Sequence, residues 1–529
     1  MTTADSAGGA APRRAASRLR AALRRRLGID PRALAASRLR AALRRRLGID
    51  PRALAAFRIA LGAVLLVDLA LRSRNLVAFY TDAGVLPRAT LTDAYPLGAR
   101  FSLHAVSGEA WAVALLFLAA ALAAVALAVG HRTRVAVVAS LLLLASLQAR
   151  NPFVLNAGDT LLLQLLGAGL LCPLSARWSV DAVRRRAPDA AAPPSGDGGD
   201  RVAGPASALL LTLAVVVYVA NAVEKLRGSM WPGGEAVARV FRLTYLHGPL
   251  GGLVPEWPAL LSAATYGWLA LLVASPLLVA AAGRVRAALA GTFVAAHLSM
   301  AAALQIGVFP AISATSLLPF FPPFVWDRVE RAVAPAAGRL RRLAERRTGS
   351  AGRPAGPRSL RVLREGVAAA IPVLAAVLLV AVVAWNGMAL GAVETPDAVA
   401  SVSDPTEGGW TMFAPNPPST DARVSATAAT ADGDRIDALY GDRVARDRPP
   451  SDARAYPTAR WRKLLTALAN NPDSARVDPL LAHLCDRAGG FAEGGDGAIR
   501  SVTVSAVDVD VRDGETRVDE LGTRSCSAP

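Results

Sequence analysis

The chain has 529 residues, 53% of them hydrophobic, and its mean hydropathy of +0.35 excludes an ordinary soluble protein of this size. The net charge of +18 is unevenly placed: residues 391–529 hold 22 acidic and 15 basic side chains, a net of −7, so the rest carries +25. That basic excess sits in turns between apolar runs, which is the positive-inside pattern of a membrane protein and excludes a nucleic-acid-binding face.

Residues 1–52 form a basic arm, expected on the cytoplasmic side. Within it, AASRLRAALRRRLGIDPRALAA at 15–36 recurs unchanged at 35–56, a 20-residue tandem duplication. Two copies are too few for a solenoid. Two readings are open: an amphipathic helix lying on an anionic membrane face, or a partly disordered arm. The first apolar run starts near Ala53 without a short charged lead, so no cleavable signal peptide is expected.

Nine transmembrane helices are expected, because nine runs approach the roughly 20 apolar residues a bilayer requires. The first, Ala53–Ala70, carries Arg58 and Asp68, too far apart along the axis to pair. The polar stretch FYTDAGVLPR at 79–88 follows. The next three spans are Ala110–Gly130, Val135–Gln148 and Asp159–Leu174. A basic loop at 176–201 leads to the fifth, Ala206–Val223. The sixth, seventh and eighth are Pro258–Gly283, Ala287–Phe309 and the proline-broken Ala311–Trp326. These eight make one domain, 53–326. A basic linker, 327–365, precedes the ninth, Gly366–Leu390. With the N-terminus inside, the arm, 131–134, 176–201, 284–286 and 327–365 all fall on the cytoplasmic side. The protein is then multi-pass in the plasma membrane, with the lipid bilayer as its first partner.

Residues 391–529 read as a small extracytoplasmic α+β domain. Strand-like pieces at Ala422–Ala429 and Arg500–Val511 each run into an Asp-Gly turn, and helical pieces at Ala459–Asn470 and Pro479–Arg487 lie between them. Cys485 and Cys526 fall in this domain and could form a disulfide in an oxidising compartment. Cys172 lies in an apolar run. No cysteine and histidine spacing resembles a metal site.

The polar residues within the apolar runs are few, and charged groups there are costly enough to suggest function. Lys225 stands at the end of the fifth span, in YVANAVEKLRGSMWPGGEAV, with Tyr218 and Asn221 on the same helical face and Trp231 just beyond. The amine either snorkels to the headgroups or serves as a base. His297, with Ser299 and Gln305, interrupts the seventh span and either relays protons or packs helices. Asp159 opens the fourth span and either pairs with a cation or caps the helix.

YVANAVEKLRGSMWPGGEAV resembles the lysine-bearing segment of the vitamin K-dependent gamma-glutamyl carboxylases. The stretch 156–183, which includes W-S-V-D at 178–181, and the stretch 297–326 resemble that family in the same order. FYTDAGVLPR and WTMFAPNP resemble its bacterial branch, the HTTM (horizontally transferred transmembrane) proteins. The resemblance covers about 53–420. It implies an all-α polytopic membrane bundle, with Lys225 matched to the lysine proposed to deprotonate vitamin K hydroquinone. His297 matches a family histidine, and Trp178 and Asp181 sit in the shared W-S-V-D. Gly158 stands where the carboxylases carry a histidine, and Asp159 follows it as in the bacterial branch.

Two functions follow from the resemblance. One is a carboxylase-like lyase or oxidoreductase, with Lys225, His297 and Asp159 catalytic, Tyr218, Asn221 and Trp231 binding a reduced, vitamin K-like quinone, and a peptide or small secreted molecule as substrate. The other is a non-enzymatic peptide-binding, maturation, export or immunity factor.

Overall fold

The computed structural model describes residues 31–185, 201–345, 358–445, 456–492 and 498–526. Most of the first repeat copy, the Arg186 end of the 176–201 loop and residues 346–357 of the linker lie outside them.

Helix α1 (Pro31–Leu47) spans the end of the first repeat copy and the first part of the second, which continues into α2. Gly48 ends it, and Ile49 pairs with Val202 in an antiparallel bridge. Asp50 then starts α2 (Pro51–Ser73) by accepting the Arg52 N–H, and Pro51 occupies the first turn, where no N–H is needed. Arg58 and Asp68 do not meet: Arg58 donates to the carbonyls of Leu127, Ala128 and Trp178, whereas Asp68 accepts from Arg72 and Arg460.

Among the described residues, six helices are long and apolar enough to cross a bilayer. They are α2, α3 (Ala110–Val129), α4 (Thr133–Arg150), α6 (Pro205–Arg227), α8 (Gly283–Ala303), and residues Ala368–Ala389 of α11 (Arg358–Ala389). The fourth, sixth and eighth expected spans are helical but shorter: α5 (Ala157–Leu170, 14 residues), α7 (Pro258–Val273, 16 residues) and α9 (Phe309–Leu317, 9 residues). Pro276 stops α7 before the expected Gly283, and the prolines at 319, 322 and 323 cut α9 short. The described parts of the basic linker are helical. Its start belongs to α10 (Pro323–Glu345), and α11 begins at Arg358, ahead of the expected Gly366.

Helix α6 runs through the centre of the bundle, with Leu209, Leu210, Leu211, Leu213, Ala214 and Val217 buried. Helix α3 instead exposes Leu115, Leu118 and Leu122, an apolar face suited to lipid.

The two ends of the bundle differ in charge. At one end the basic turns meet. There Asp181 accepts the N–H groups of Arg132 (2.9 Å) and Thr133 (2.8 Å), which caps α4. Burial opposes the charge on Asp181, but the Thr133 and Arg132 donors hold its carboxyl below the usual range. Trp178 donates from its indole to Glu330 at 3.0 Å. W-S-V-D therefore ties helix ends together.

The C-terminal domain packs on the other end. Its antiparallel sheet has the order β3-β2-β1-β4-β5, built from β1 (Thr420–Thr430), β2 (Arg435–Asp437), β3 (Arg443–Val444), β4 (Ile499–Asp510) and β5 (Thr516–Ser525). Helices α12 (Ala459–Asn470) and α13 (Ser474–Ala492) cover it, burying Trp461, Leu465, Leu480 and Leu484 against Val502 and Val504. Cys485 and Cys526 are bonded, with Cα atoms 5.6 Å apart. Cys172 is buried in the bundle.

Candidate functional site

Helix α6 ends at Gly228 because the chain beyond it must pass another backbone closely. A Cβ at Gly228 would stand 2.0 Å from the Pro415 oxygen. Residues 410–416 therefore lie as a strap across the end of α6. Asn416 Oδ1 accepts the N–H groups of Ser229 (3.1 Å) and Met230 (2.9 Å), and the Trp231 indole donates to the Phe413 carbonyl at 2.8 Å.

Lys225 is enclosed beneath this strap and is only 1% exposed. Its Nζ donates to the Met412 carbonyl at 2.5 Å and lies 4.0 Å from the centroid of the Trp231 ring, a cation–π distance. Asn221 supports the same strap by donating to the carbonyls of Trp410 (3.0 Å) and Met412 (3.2 Å). Among the described residues no carboxylate pairs with the amine. The neighbouring Glu224 is engaged by Arg227 at 2.5 Å.

A pocket of about 340 Å³ adjoins the strap between α6 and α11, lined by Ala220, Glu224, Arg227, Asn386, Leu390 and Trp410 among others. Trp410 belongs to both strap and pocket wall, so the segment that covers the amine also borders the pocket.

Tyr218 lies about 10 Å down the helix from Lys225, by the rise per residue. Its hydroxyl is 3.0 Å from His297 Nε2. His297 is 1% exposed, and its Nδ1 has no partner among the described residues. Phe293, Trp268 and Phe309 surround the pair.

Asp159 belongs to a different cluster. It caps α5 through a capping box with Asn156 and also pairs with two cations, so both roles open in the sequence are present. Arg72 donates to Asp159 and to Asp68, and Arg460 of the C-terminal domain reaches Asp68 at 2.7 Å and Asp159 at 3.2 Å. Tyr80 of FYTDAGVLPR accepts from Arg72 at 2.9 Å. These four charges, three of them buried and Arg460 nearly so, join the bundle to the C-terminal domain.

The structure thus brings Lys225, Asn221 and Trp231 together, sets Tyr218 with His297 two turns away, and holds Asp159 apart. Sequence reasoning missed the strap, although WTMFAPNP was visible as a motif. It also missed Arg72 and Arg460. One signal pointed to Lys225: the chain has 59 basic residues, and only Lys225 and Lys463 among them are lysines. Among the described residues no cluster of histidine, cysteine or carboxylate could hold a metal ion.

These features define a mostly helical membrane protein with several apolar helices and a buried amine at one end of a central helix. The HTTM domain model matches residues 47–326, more than half of the chain, and the protein belongs to the HTTM family. No curated protein and no solved structure matches it significantly.

Proposed function

We propose that this HTTM protein is an enzyme in which Lys225 acts as a base toward a quinol-like cosubstrate, in order to modify a peptide or small molecule at the outer membrane face. The observation that carries this reading is the enclosed Lys225 amine. Among the described residues it has no carboxylate partner; it is held by one backbone carbonyl, and the strap over it borders a pocket of about 340 Å³. That volume suits a ring-sized ligand. Trp410 and Leu390 offer apolar surface to a ring, and Asn386 and Arg227 offer polar contacts to its oxygens. A reduced quinone would supply an acidic O–H; the chain's part is to bind it, exclude water and take that proton on Nζ. Displacement of Met412 would open the amine to the pocket. Tyr218 and His297 form a second proton-carrying pair deeper in the bundle, and Asp159 takes a structural part.

The same reading places the basic end in the cytoplasm and residues 391–529 outside the plasma membrane, with nine crossings. Its support is the separation of the basic turns from the acidic domain and the Cys485–Cys526 bond in that domain.

One observation favours the non-enzymatic alternative: the Met412 carbonyl already occupies the amine. In that case Lys225 anchors the strap, and the outer domain binds a peptide without chemistry. Comparing Lys225→Ala with Lys225→Arg in a complementation or quinol-oxidation assay separates the two. Loss of activity in both supports the base, and full activity in the alanine variant supports the anchor.

A further inference from the structure

At the basic end, away from Lys225, a small pocket is walled by Arg45, Gly48, Arg201, Gly283, Arg286 and Phe320. Its lining holds three arginines and one carboxylate, Asp50, which is already engaged by Arg52. Arg286 is 4% exposed and lines the pocket. It gives one N–H to the Arg46 carbonyl at 2.9 Å and lies over the Phe320 ring, with Cζ 5.1 Å from the centroid. Its Nε and Nη2 are buried with no partner among the described residues. An unpaired guanidinium edge of that kind is costly, and its fork geometry matches two oxygens of one oxyanion.

Two further features face the same space. Arg201 gives one N–H to the Arg45 carbonyl at 2.9 Å. Helix α8, 21 residues long, starts at Gly283 with Ala282 as its N-cap and no side-chain cap, so its first N–H groups and the positive end of its dipole border the pocket. Asp50 also lines the pocket, but its carboxylate is held by Arg52 at 2.9 Å and caps α2. The room is about 20 Å³, enough for a water or the oxygens of an oxyanion at the mouth but not for a whole ligand.

We propose that Arg286, Arg201 and the amino end of α8 form a binding site for a phosphoryl anion, in which Nε and Nη2 of Arg286 grip two phosphate oxygens. The pocket sits where four chain segments converge: the end of α1, the entry to α6, the start of α8 and the 319–323 turn. A bound phosphate would therefore tie the duplicated basic arm to the bundle. The phosphate could belong to an anionic lipid headgroup or be free in solution, and the chemistry at the arginines is the same.

The test uses the full chain in detergent. Binding of a fluorescent short-chain phosphatidylglycerol is measured for the native protein and for Arg286→Gln, Arg201→Gln and Arg134→Gln, with thermal unfolding as the check on folding. The expected result is roughly tenfold weaker binding for each of the first two variants, the scale of a lost charge-assisted hydrogen bond. Arg134, exposed at the same end, should bind like the native protein. Inorganic phosphate is added in a second arm. Failure to displace the lipid assigns the site to headgroups, and displacement at millimolar phosphate assigns it to the free anion. Equal binding by native protein and both folded Arg286 and Arg201 variants overturns the site. So does an equal loss in Arg134→Gln, which would mean unspecific attraction. Arg201→Gln, on a partly exposed side chain, keeps the test decisive if Arg286→Gln does not fold.

Discussion

The Lys225 amine donates to the Met412 carbonyl, 187 residues further along the chain. That bond joins the end of the central helix to the strap that leads into the C-terminal domain. Access to the amine is therefore controlled by a segment outside the matched family region.

The strap hangs on Asn416, whose side-chain oxygen accepts two N–H groups. Asn416→Ala removes both bonds, at about 1 kcal/mol each, and should loosen the cover over Lys225. The chain has only two lysines, and Lys463 is exposed. Amine labelling read by mass spectrometry thus has an internal standard. Labelling of Lys225 relative to Lys463 should rise several-fold in the variant. An unchanged ratio would mean that the strap does not depend on Asn416.

Arg460 holds Asp68 and Asp159 from the domain side. Arg460→Ala leaves those two buried carboxylates with Arg72 alone, a loss of about 3–5 kcal/mol. Limited proteolysis should then release the C-terminal domain faster than in the native protein, and the melting temperature should fall.

The Cys485–Cys526 bond closes a loop of 41 residues. Replacing both cysteines by serine should destabilise the domain by roughly 2–4 kcal/mol. Hydrogen exchange should show the loss in β4, β5 and α13, and protection across α6 should be unchanged.

His104, in the loop before α3, is buried, and its Nδ1 lies 2.7 Å from the Ser146 hydroxyl. Burial first, then the nearby Arg72 and Arg150, push its pKa down from 6.5 to about 4. The folded pKa is depressed, so between these values the unfolded chain holds a proton that the fold excludes. The contribution is complete above pH 6.5 and is lost as the pH falls toward 4, by roughly 3 kcal/mol. A melting temperature followed from pH 7 to pH 4 should drop, and His104→Asn should flatten that slope.

The helices were legible because apolar runs of membrane length have few other uses. Their ends were less so. Pro276 stopped a helix that hydropathy alone carried to Gly283, and arginine-rich stretches that read as a linker proved helical, since arginine favours helices. Strand β5 was missed because TRVDELGTRS has no alternation, and its residues are largely exposed at a sheet edge. At the site, the spacing of Tyr218, Asn221 and Lys225 placed them on one face. Helical periodicity says nothing about partners 187 residues away, so Met412 and Arg460 were out of its reach.

The central claim is that the Lys225 amine transfers a proton. The most direct test is turnover by Lys225→Ala and Lys225→Arg in a quinol-oxidation or complementation assay, with folding checked by thermal unfolding. The account predicts that both folded variants lose activity, because a methyl group has no basic nitrogen and a guanidinium does not give up its proton. Full activity in Lys225→Ala would contradict it.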